Sequence, residues 1–329
     1  MRIEGIRQRV PFLVLKEIHM VLFTSNRQLA RAENIRSVFE EYDGDKQFMY
    51  VDPYRPNLAE LSSGKYRLRV ADEYVKASPG KCIFIGHGFP TGKKVGLEQP
   101  RPYHQARYSS LITYAIAPSE NLIGLVARQC GIPEERVLPY GLPRTDAYYG
   151  KVKGDGHTLT ADKRAYLYAP TFRNSWEGSL PVIDWDYIDG ELTDDEIFIV
   201  KPHPNTPGIL RKPYRHIIEV SSQVPSTAYL IDCDVLISDY STIIFDAHVL
   251  RKPVILFEKD VTYRQRRGMV LKYPEQYASR YCNTEQELVR LCRSADGPGK
   301  EDTECREYTA GGCDGHSVEK ICQLIRGEI

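Results

Sequence analysis

The sequence has no excess charge of one sign and no long apolar run, and each absence excludes a class of protein. Its 44 Lys and Arg residues balance 44 Asp and Glu residues, whereas proteins that neutralise many nucleic-acid phosphates are usually basic. A helix that crosses a bilayer needs about 20 apolar residues, but the most apolar N-terminal stretch, 10–23, is interrupted by Lys16, Glu17 and His19. The same interruptions disfavour a secretory signal. We therefore expect no nucleic acid partner and no membrane-spanning or exported chain.

Metal and cofactor motifs are also missing. The eight cysteines form no C-x-x-C pair, and a chain of 329 residues does not need disulfides to hold a core. We find no H-E-x-x-H, no EF-hand loop and no zinc spacing, so no metal site is predicted. GHGFPTGKK, residues 86–94, is too short between its glycines for a P-loop, and no strand leads into G-x-G-x-x-G. From the cysteines we therefore expect reduced thiols in a cytoplasmic protein. Without a P-loop or a G-x-G-x-x-G motif, kinase, GTPase and nicotinamide-dependent functions are disfavoured.

The sequence does contain short apolar runs that alternate with helical patterns in both halves. Its composition, with 42% hydrophobic and 27% charged residues, is that of an ordinary globular protein. In the first half, the patterns predict strands over 19–25, 46–51, 81–88 and 112–119 and helices over 27–42 and 119–131, with Ser119 as N-cap and Gly131 as C-terminal stop. In the second half, they predict strands over 164–173, 196–205, 234–241 and 253–260 and a helix over 241–250.

This alternation predicts an α/β fold of two doubly wound, Rossmann-like parallel sheets that face each other across a cleft. The length is that of two domains of about 150 residues each. Residues 146–163 are polar, contain several glycines and have no apolar period, which is typical of an interdomain connection. We therefore place the boundary near Lys151, between an N-terminal lobe of residues 1–150 and a C-terminal lobe of residues 151–329.

Polar clusters follow three predicted strands of the second half. They are Pro170 to Arg173, Lys201 to Pro204, and Asp239 to Thr242. Ligands of open parallel sheets bind beyond the carboxyl ends of the strands, so we expect the three clusters to line one edge. Ser241 and Thr242 fall in the first turn of a helix, where free N–H groups and the helix dipole favour a phosphate. Taken alone, the tetrapeptide fits a simple helix cap better.

Several basic side chains near these clusters could hold a phosphate. Lys201 and His203 flank a proline that fixes the backbone between them. Arg173 follows a strand and could pair with a phosphate through its planar fork. Arg264 and Arg267 belong to a basic run that could clamp a phosphorylated ligand. Each set also has an ordinary alternative. The segment with Lys201 and His203 could be a rigid turn with a surface lysine, Arg173 could be an exposed arginine, and the basic run could be solvated surface charge.

In the first half, His87 leaves a predicted strand with a glycine on each side, so that a substrate can approach closely. An exposed imidazole is suited to general-base work near neutral pH. The alternative is a histidine without such a role, since seven others are present.

The order and identity of seven segments are together more specific than any one of them. GHGFPTGKK, LPYGLPRTD, YAPTFR, KPHP, ISDYSTIIFDAHVLRKPVILFEKD, YRQRRG and CDGHSVEK resemble the CDP-glycerol glycerophosphotransferase family, whose members prime or polymerise poly(glycerol phosphate) in teichoic acid synthesis. The resemblance covers nearly the whole chain. It implies the two-lobed GT-B fold, with the donor nucleotide mainly on the C-terminal lobe and the acceptor mainly on the N-terminal lobe. The chain departs from the family at Gly86, where Trp is usual.

The resemblance also implies roles for individual residues. His87 matches the family's catalytic base in its H-G-x-P motif. Seven residues of the second half are candidates for binding the donor or its phosphates, by family position or by charge: Arg173, Lys201, His203, Asp239, Ser241, Thr242 and Asp246. Of these, His203, Ser241 and Thr242 match donor phosphate-binding positions, whereas Asp239 and Asp246 could instead be structural. Further candidates for phosphate or acceptor contacts are Lys93, Arg264 and Arg267.

The implied reaction is the transfer of glycerol phosphate, or a related polyol phosphate, from CDP-glycerol to an acceptor hydroxyl with release of CMP, in teichoic acid or capsule-like polymer synthesis. Cations and the helix dipole could replace a divalent metal, so no cofactor is required, and the sequence does not exclude Mg²⁺. Two alternatives stay open. One is a GT-B glycosyltransferase with a UDP- or CMP-linked sugar donor, since fold does not fix function. The other is a non-catalytic nucleotide-binding protein, against which the glycine-flanked His87 argues.

The implied partners are a CDP-glycerol-like donor and a lipid-linked or polymeric acceptor. Because such acceptors are built at the inner membrane face, the resemblance suggests a cytoplasmic protein with peripheral contact to that face. Candidate contacts are the basic residues Arg7, Arg9, Lys93, Lys94, Arg101 and Arg107. Ordinary surface charge is the alternative, and the balanced total charge favours it.

Overall fold

Two parallel sheets organise the chain. The computed structural model describes residues 20–52, 54–73, 78, 80–92, 110–150, 157–160, 162–173, 180–206 and 208–328. They form two six-stranded sheets in which every strand pair is parallel. The predicted α/β fold of two doubly wound lobes is thereby confirmed. We call the unit built on the first sheet the front lobe and the unit built on the second sheet the rear lobe.

The front-lobe strands are β1 (Val21–Ser25), β2 (Lys46–Tyr50), β3 (Leu68–Ala71), β4 (Lys81–Phe84), β5 (Tyr114–Ile116) and β6 (Val137–Leu138). Their order is β2-β1-β3-β4-β5-β6. The central strands β1 and β3 are entirely buried, as parallel strands with both faces covered should be. Strand β2 lies on one side of β1, and strands β3 to β6 lie on the other side. The loops after β1 and β3 therefore flank the topological switch point of the sheet, where ligands of such sheets usually bind.

The rear-lobe strands are β7 (Arg164–Tyr168), β8 (Glu196–Val200), β9 (Ile217–Glu219), β10 (Val235–Ser238), β11 (Val254–Phe257) and β12 (Arg280–Cys282). Their order is β12-β11-β10-β7-β8-β9. In this sheet the topological switch point lies between the neighbouring strands β7 and β10. Two of the three predicted polar clusters follow these two strands, and the third follows β8, which pairs with β7.

Helices connect the strands. The described residues contain α1 (Glu33–Glu41), α2 (Leu58–Leu61), α3 (Ile123–Cys130), α4 (His157–Thr160), α5 (Trp185–Glu191), α6 (Ser226–Leu230), α7 (Ile243–Val249), α8 (Val261–Arg267), α9 (Glu285–Ser294), α10 (Lys300–Ala310) and α11 (Ser317–Glu328). Short 3-10 helices occur at Leu29–Arg31, Glu120–Leu122, Glu134–Arg136 and Pro143–Tyr149. The helix α7 is buried at every position, because it lies between the rear sheet and the front lobe.

One predicted cap is wrong in its chemistry. Ser119 does precede a helical segment, but its side chain makes no cap hydrogen bond. Its hydroxyl instead donates to the carbonyl of Tyr308 at 2.7 Å, which joins the front lobe to α10. The predicted stop at Gly131 is confirmed, since this glycine ends α3 in the left-handed region at φ 67°.

The last helix returns to the front lobe. Ile321, Cys322 and Ile325 of α11 are buried in one core with strands β1 and β3. At the start of α11, the backbone N–H groups of Ser317 and Val318 donate to the carboxylate of Asp146 at 3.1 and 2.7 Å. Residues 317–328 therefore complete the front lobe, which the predicted division did not anticipate. The predicted boundary near Lys151 lies outside the described residues and stays a prediction.

Candidate functional site

The three polar clusters of the rear lobe lie side by side. The carboxylate of Asp239 accepts hydrogen bonds from the Thr171 backbone N–H at 2.8 Å and from the Arg173 guanidinium at 3.1 Å. The rings of Phe172 and His203 stack with their centroids 4.4 Å apart. These contacts connect all three clusters, so the prediction that they line one edge of the sheet is confirmed.

Arg173 is committed to protein partners. Its side chain is buried between the carboxylates of Asp239 and Asp260, at 3.1 and 3.4 Å. It also donates to the Thr171 carbonyl at 2.7 Å and lies 3.8 Å above the ring of Tyr263. Two carboxylates already balance the charge of the guanidinium, so these contacts indicate that Arg173 and Asp239 hold the loops in place. Direct binding of a phosphate by either residue stays a prediction.

Lys201 is in the opposite situation. Its side chain is 2% exposed, and its ammonium donates to the Pro202 carbonyl at 3.0 Å. Within the part of the chain that the structure describes, no ion pair joins this ammonium to a carboxylate. Burial, and then the charge of Arg31, lowers its pKa to about 8. A desolvated cation without a carboxylate is what an anionic ligand would stabilise.

His203 and the start of α7 complete the rear side of the site. The Nδ1 atom of His203 accepts the backbone N–H of Asn205 at 3.1 Å, so in the neutral ring the proton is on Nε2. Ser241 and Thr242 are half-buried and precede α7. The side chain of Thr242 makes no cap hydrogen bond, and two N–H groups of the first turn donate to the backbone carbonyls of Ser241 and Thr242.

The other predicted phosphate or acceptor contacts lie on or near α8. The Nε of Arg264 donates to Glu258 at 2.7 Å, and its guanidinium lies 5.2 Å from the ring centre of Tyr273. Arg267 lies 5.9 Å from the ring centre of Tyr263. Lys93 lies outside the described residues, as do all the basic residues predicted to contact a membrane: Arg7, Arg9, Lys94, Arg101 and Arg107.

His87, the predicted base, is partly exposed and lies beside a buried carboxylate. It follows β4, and its side chain is 37% exposed. The ring atom Nδ1 is buried without a hydrogen bond and lies 3.7 Å from the carboxylate of Asp72. Asp72 directly follows β3, the neighbouring strand, and is 2% exposed. This carboxylate can orient the ring.

Asp72 was missed from the sequence, because strand β3, which it directly follows, was not predicted. It is the first residue after a short strand and therefore lies at the ligand-binding edge. Beneath it, the buried side chains of Arg69 and Glu73 form an ion pair, and Thr24 donates to Glu73 at 3.1 Å. Burial raises the pKa of Glu73, and the charge of Arg69 opposes that effect. This polar layer supports the loop that carries Asp72.

The loop that carries His87 packs against the rear lobe. Phe89 contacts Phe245 of α7 with ring centroids 5.4 Å apart, and Tyr277 donates to the Thr91 carbonyl at 2.7 Å. A Cβ atom at Gly92 would lie 2.7 Å from the methyl carbon of Thr242. The loop of the predicted base and the predicted phosphate motif are therefore in direct contact.

Asp246 of α7 belongs to this contact as well. Its carboxylate accepts two hydrogen bonds from Arg144 of the front lobe, at 2.9 and 2.7 Å. Of the two roles that the sequence left open for Asp246, these contacts favour the structural one. Arg144 was not predicted as a site residue, because nothing in LPRTD reveals a partner 102 residues away.

The described residues contain no cluster of three or more His, Cys, Asp or Glu side chains arranged to hold a metal ion. All eight cysteines are free and buried. In the same part of the chain, no helix is long and apolar enough to cross a membrane.

Solved structures share this fold. The wall teichoic acid polymerase TagF superposes with a TM-score of 0.74 at 17% identity, over 95% of this chain and 89% of that chain. Another TagF structure, of a variant soaked with CDPG, has a TM-score of 0.72. A UDP-GlcNAc 2-epimerase from Neisseria meningitidis bound to UDP-GlcNAc has a TM-score of 0.58 at 14% identity, over 94% of this chain and all of that chain. The lobes are thus of the GT-B type.

Relatives of known activity are found by sequence. A teichoic acid poly(ribitol-phosphate) polymerase of Bacillus spizizenii is 28% identical over 93% of this chain and 56% of that protein. A teichoic acid glycerol-phosphate primase of Bacillus subtilis is 30% identical over 65% of this chain and 60% of that protein. The chain thus spans little more than half the length of these relatives. A profile described as CDP-glycerol:poly(glycerophosphate) glycerophosphotransferase matches residues 63–327, and the chain belongs to that family.

Proposed function

We propose that this protein transfers glycerol phosphate, or a related polyol phosphate, from CDP-glycerol to an acceptor hydroxyl with release of CMP, in the synthesis of teichoic acid or a similar polymer. Family membership supports this class of reaction. The observation that carries the proposal is the placement of His87. Its exposed ring is backed by Asp72, and its loop contacts the segment of Ser241 and Thr242.

In the proposed reaction, His87 takes the proton of the acceptor hydroxyl through Nε2, the ring atom opposite Asp72. The acceptor oxygen attacks the β-phosphorus of CDP-glycerol. The bond from that phosphorus to the bridging oxygen breaks, and CMP leaves with the oxygen and the electron pair. A phosphodiester and protonated His87 result, and the Asp72 carboxylate stabilises that imidazolium. Phosphoryl transfer of this kind depends mainly on positioning and charge stabilisation.

The rear lobe would stabilise the negative charge that moves onto CMP. Lys201 supplies a cation that has no carboxylate partner among the described residues, His203 supplies an N–H donor, and the segment of Ser241 and Thr242 supplies backbone N–H groups. Arg173 and Asp239 would hold these loops together, and direct contact of either residue with a donor phosphate stays a prediction. Arg264, Arg267 and Lys93 stay candidates for contacts to the phosphates or the acceptor.

The acceptor is proposed to be lipid-linked or polymeric and to bind at the front lobe beside His87. An acceptor of this kind would place the protein at the inner face of the cell membrane by peripheral contact. Binding to anionic liposomes at low and high salt tests this location directly. Equal failure to bind in both salts would contradict it.

The central experiment measures CMP release from CDP-glycerol in the presence of a lipid-linked or soluble acceptor analogue. His87→Ala should reduce the rate by about 100-fold or more, which is within the usual contribution of a general base. His316→Ala is the control, because this histidine is exposed at the start of α11. Equal rates for the native protein and His87→Ala would eliminate the proposed base.

A donor panel separates the alternatives. CMP release from CDP-glycerol or CDP-ribitol, with no nucleotide released from UDP- or CMP-linked sugars, supports polyol phosphate transfer. Release from a nucleotide sugar alone would identify a glycosyltransferase, and CMP binding without turnover of any donor would identify a non-catalytic binding protein. Running the panel with Mg²⁺ and with EDTA tests whether a metal is needed.

A further inference from the structure

A buried hydrogen-bond network joins the two lobes directly behind His87. Arg144 lies in the 3-10 helix Pro143–Tyr149 of the front lobe, and its side chain is 9% exposed. Nε and Nη2 of its guanidinium donate to the two carboxylate oxygens of Asp246, at 2.9 and 2.7 Å. Nη1 donates to the backbone carbonyl of His87 at 2.5 Å. One side chain thus contacts both the helix α7 and the residue proposed as base.

Further contacts fix the geometry of this network. Tyr148 donates its hydroxyl proton to Asp246 at 3.0 Å. The side-chain amide of Asn34 donates to the Gly86 carbonyl at 2.9 Å, and its oxygen accepts the Arg144 backbone N–H at 3.1 Å. The backbone carbonyls of Gly86 and His87 therefore each accept a side-chain hydrogen bond. A Cβ atom at Gly88 would lie 2.8 Å from Nη1 of Arg144, so only glycine leaves room for the guanidinium.

The chemistry of the network requires arginine. Only a guanidinium can bind both oxygens of a carboxylate and still present a third N–H in a fixed plane to another acceptor. A lysine ammonium is a single point charge on a flexible chain, so Arg144→Lys keeps the charge but loses the fixed geometry. Because both partners are buried, the position of Asp246 on α7 constrains the position of the His87 backbone.

We propose that Arg144 is a positioning residue that transmits the position of α7 to His87. Asp246 lies four residues after Thr242, about one helical turn away. A donor phosphate held at the start of α7 would fix that helix and, through Asp246 and Arg144, the backbone of the base. The consequence for catalysis rests on the proposed function, whereas the mechanical coupling of loop and helix does not.

The test compares Arg144→Lys, Asp246→Asn and the double variant in the CMP-release assay. A misplacement of the base by about 1 Å can cost about 100-fold in rate, so kcat should fall about 10–100-fold. The KM for the donor should change less than about threefold. Because the two residues act through one contact, the double variant should lose little more than the worse single variant. Additive losses, or a loss in KM alone, would overturn the proposal.

Arg293→Lys is the matched control. Arg293 of α9 also binds both oxygens of a carboxylate, that of Glu196, at 3.2 and 3.0 Å. This pair lies within the rear lobe and contacts neither His87 nor α7. The kcat of Arg293→Lys should stay within about twofold of the native value. If Arg144→Lys also retains native kcat while remaining folded, Arg144 does not position the base.

Hydrogen–deuterium exchange gives a readout that does not depend on turnover. Amides of residues 85–92 should exchange at least about tenfold faster in Arg144→Lys than in Arg293→Lys, and CMP should slow them in the native protein but not in Arg144→Lys. Equal exchange in the two variants would refute the coupling. If the native protein neither binds CMP nor releases it, the proposed function fails, and exchange without ligand still decides whether Arg144 holds the loop.

Discussion

At the scale of single residues, the proposed role of His87 as the base depends on Asp72. Its carboxylate is buried 3.7 Å from Nδ1 of the ring, so it favours a proton on that atom and leaves Nε2 to accept one from the acceptor. In Asp72→Asn, an amide can donate to Nδ1 and stabilise the opposite tautomer. We expect kcat for CMP release to fall about 10–100-fold, below the full contribution of a general base.

CMP affinity measured by calorimetry serves as the internal control for Asp72→Asn, since Asp72 belongs to the front lobe and the proposed nucleotide site to the rear lobe. Affinity should remain within about twofold of the native value. Native turnover in Asp72→Asn would show that the carboxylate has no part in orienting His87.

If Lys201 contacts the donor as proposed, donor binding should depend on pH. Burial, followed by the charge of Arg31, lowers the pKa of its ammonium to about 8, and a bound phosphate would raise that pKa again. The free protein therefore loses this proton between pH 7 and pH 9, and CMP affinity should fall about tenfold over that interval. Calorimetry at both pH values measures the change. Lys201→Met should bind CMP more weakly and with little pH dependence, so an equally steep dependence in that variant would assign the effect to another group.

The same pKa shift has a consequence for folding. In the unfolded chain the Lys201 ammonium has its ordinary pKa of 10.5, so between about pH 8 and that value the unfolded state binds more protons than the folded state. The contribution of this residue to the free energy of unfolding therefore rises with pH across that window. In the absence of ligand, the charge on Lys201 therefore disfavours folding at neutral pH, as expected if the residue is held ready for an anion.

The sequence best predicts the location of residues that follow a strand. His87, Lys201, His203 and the segment of Ser241 and Thr242 all follow strands, and parallel sheets bring such positions to one edge. The partners of these residues could not be predicted in the same way. Whether an aspartate such as Asp246 meets a ligand or an arginine depends on a contact between distant segments, and no local pattern encodes it.

At the scale of elements, continuous apolar runs predict strands well, whereas a strand that contains a buried charge is missed. The predicted strands over 196–205 and 253–260 contain β8 and β11. Strand β3 was missed, because Arg69 interrupts its short apolar run. In the structure this arginine is fully buried and forms an ion pair with Glu73. A charge within a central strand is tolerated only when a partner is present, and that partner is visible only once the chain has folded.

Helices at the C-terminal end were not predicted either. Helix α9 has a clear polar start, with Thr284 accepting the backbone N–H of Glu287 at 3.3 Å, and α10 follows it closely. No strand follows them, so the alternation that predicts the rest of the rear lobe ends at β12. Without that alternation, the sequence pattern predicts neither these helices nor the lobe they cover.

At the scale of the whole molecule, the chain crosses between lobes twice, once forward and once back. The segment 143–149 lies at both crossings, since Arg144 reaches into the rear lobe and Asp146 caps the returning helix α11. Position in sequence therefore does not assign α11 to a lobe. Its apolar face does, because Ile321 and Ile325 are fully buried among residues of the front sheet.

This packing predicts that α11 stabilises the front lobe. Ile321→Ala and Ile325→Ala should each lower the free energy of unfolding by about 2–5 kcal/mol, as expected for a buried isoleucine truncated in a packed core. Chemical denaturation monitored with CMP present, which would hold the rear lobe, should show the loss in the front lobe. Gln323→Ala, an exposed position on the same helix, should change stability by less than about 0.5 kcal/mol. If the isoleucine variants are no less stable than Gln323→Ala, α11 does not belong to the front-lobe core.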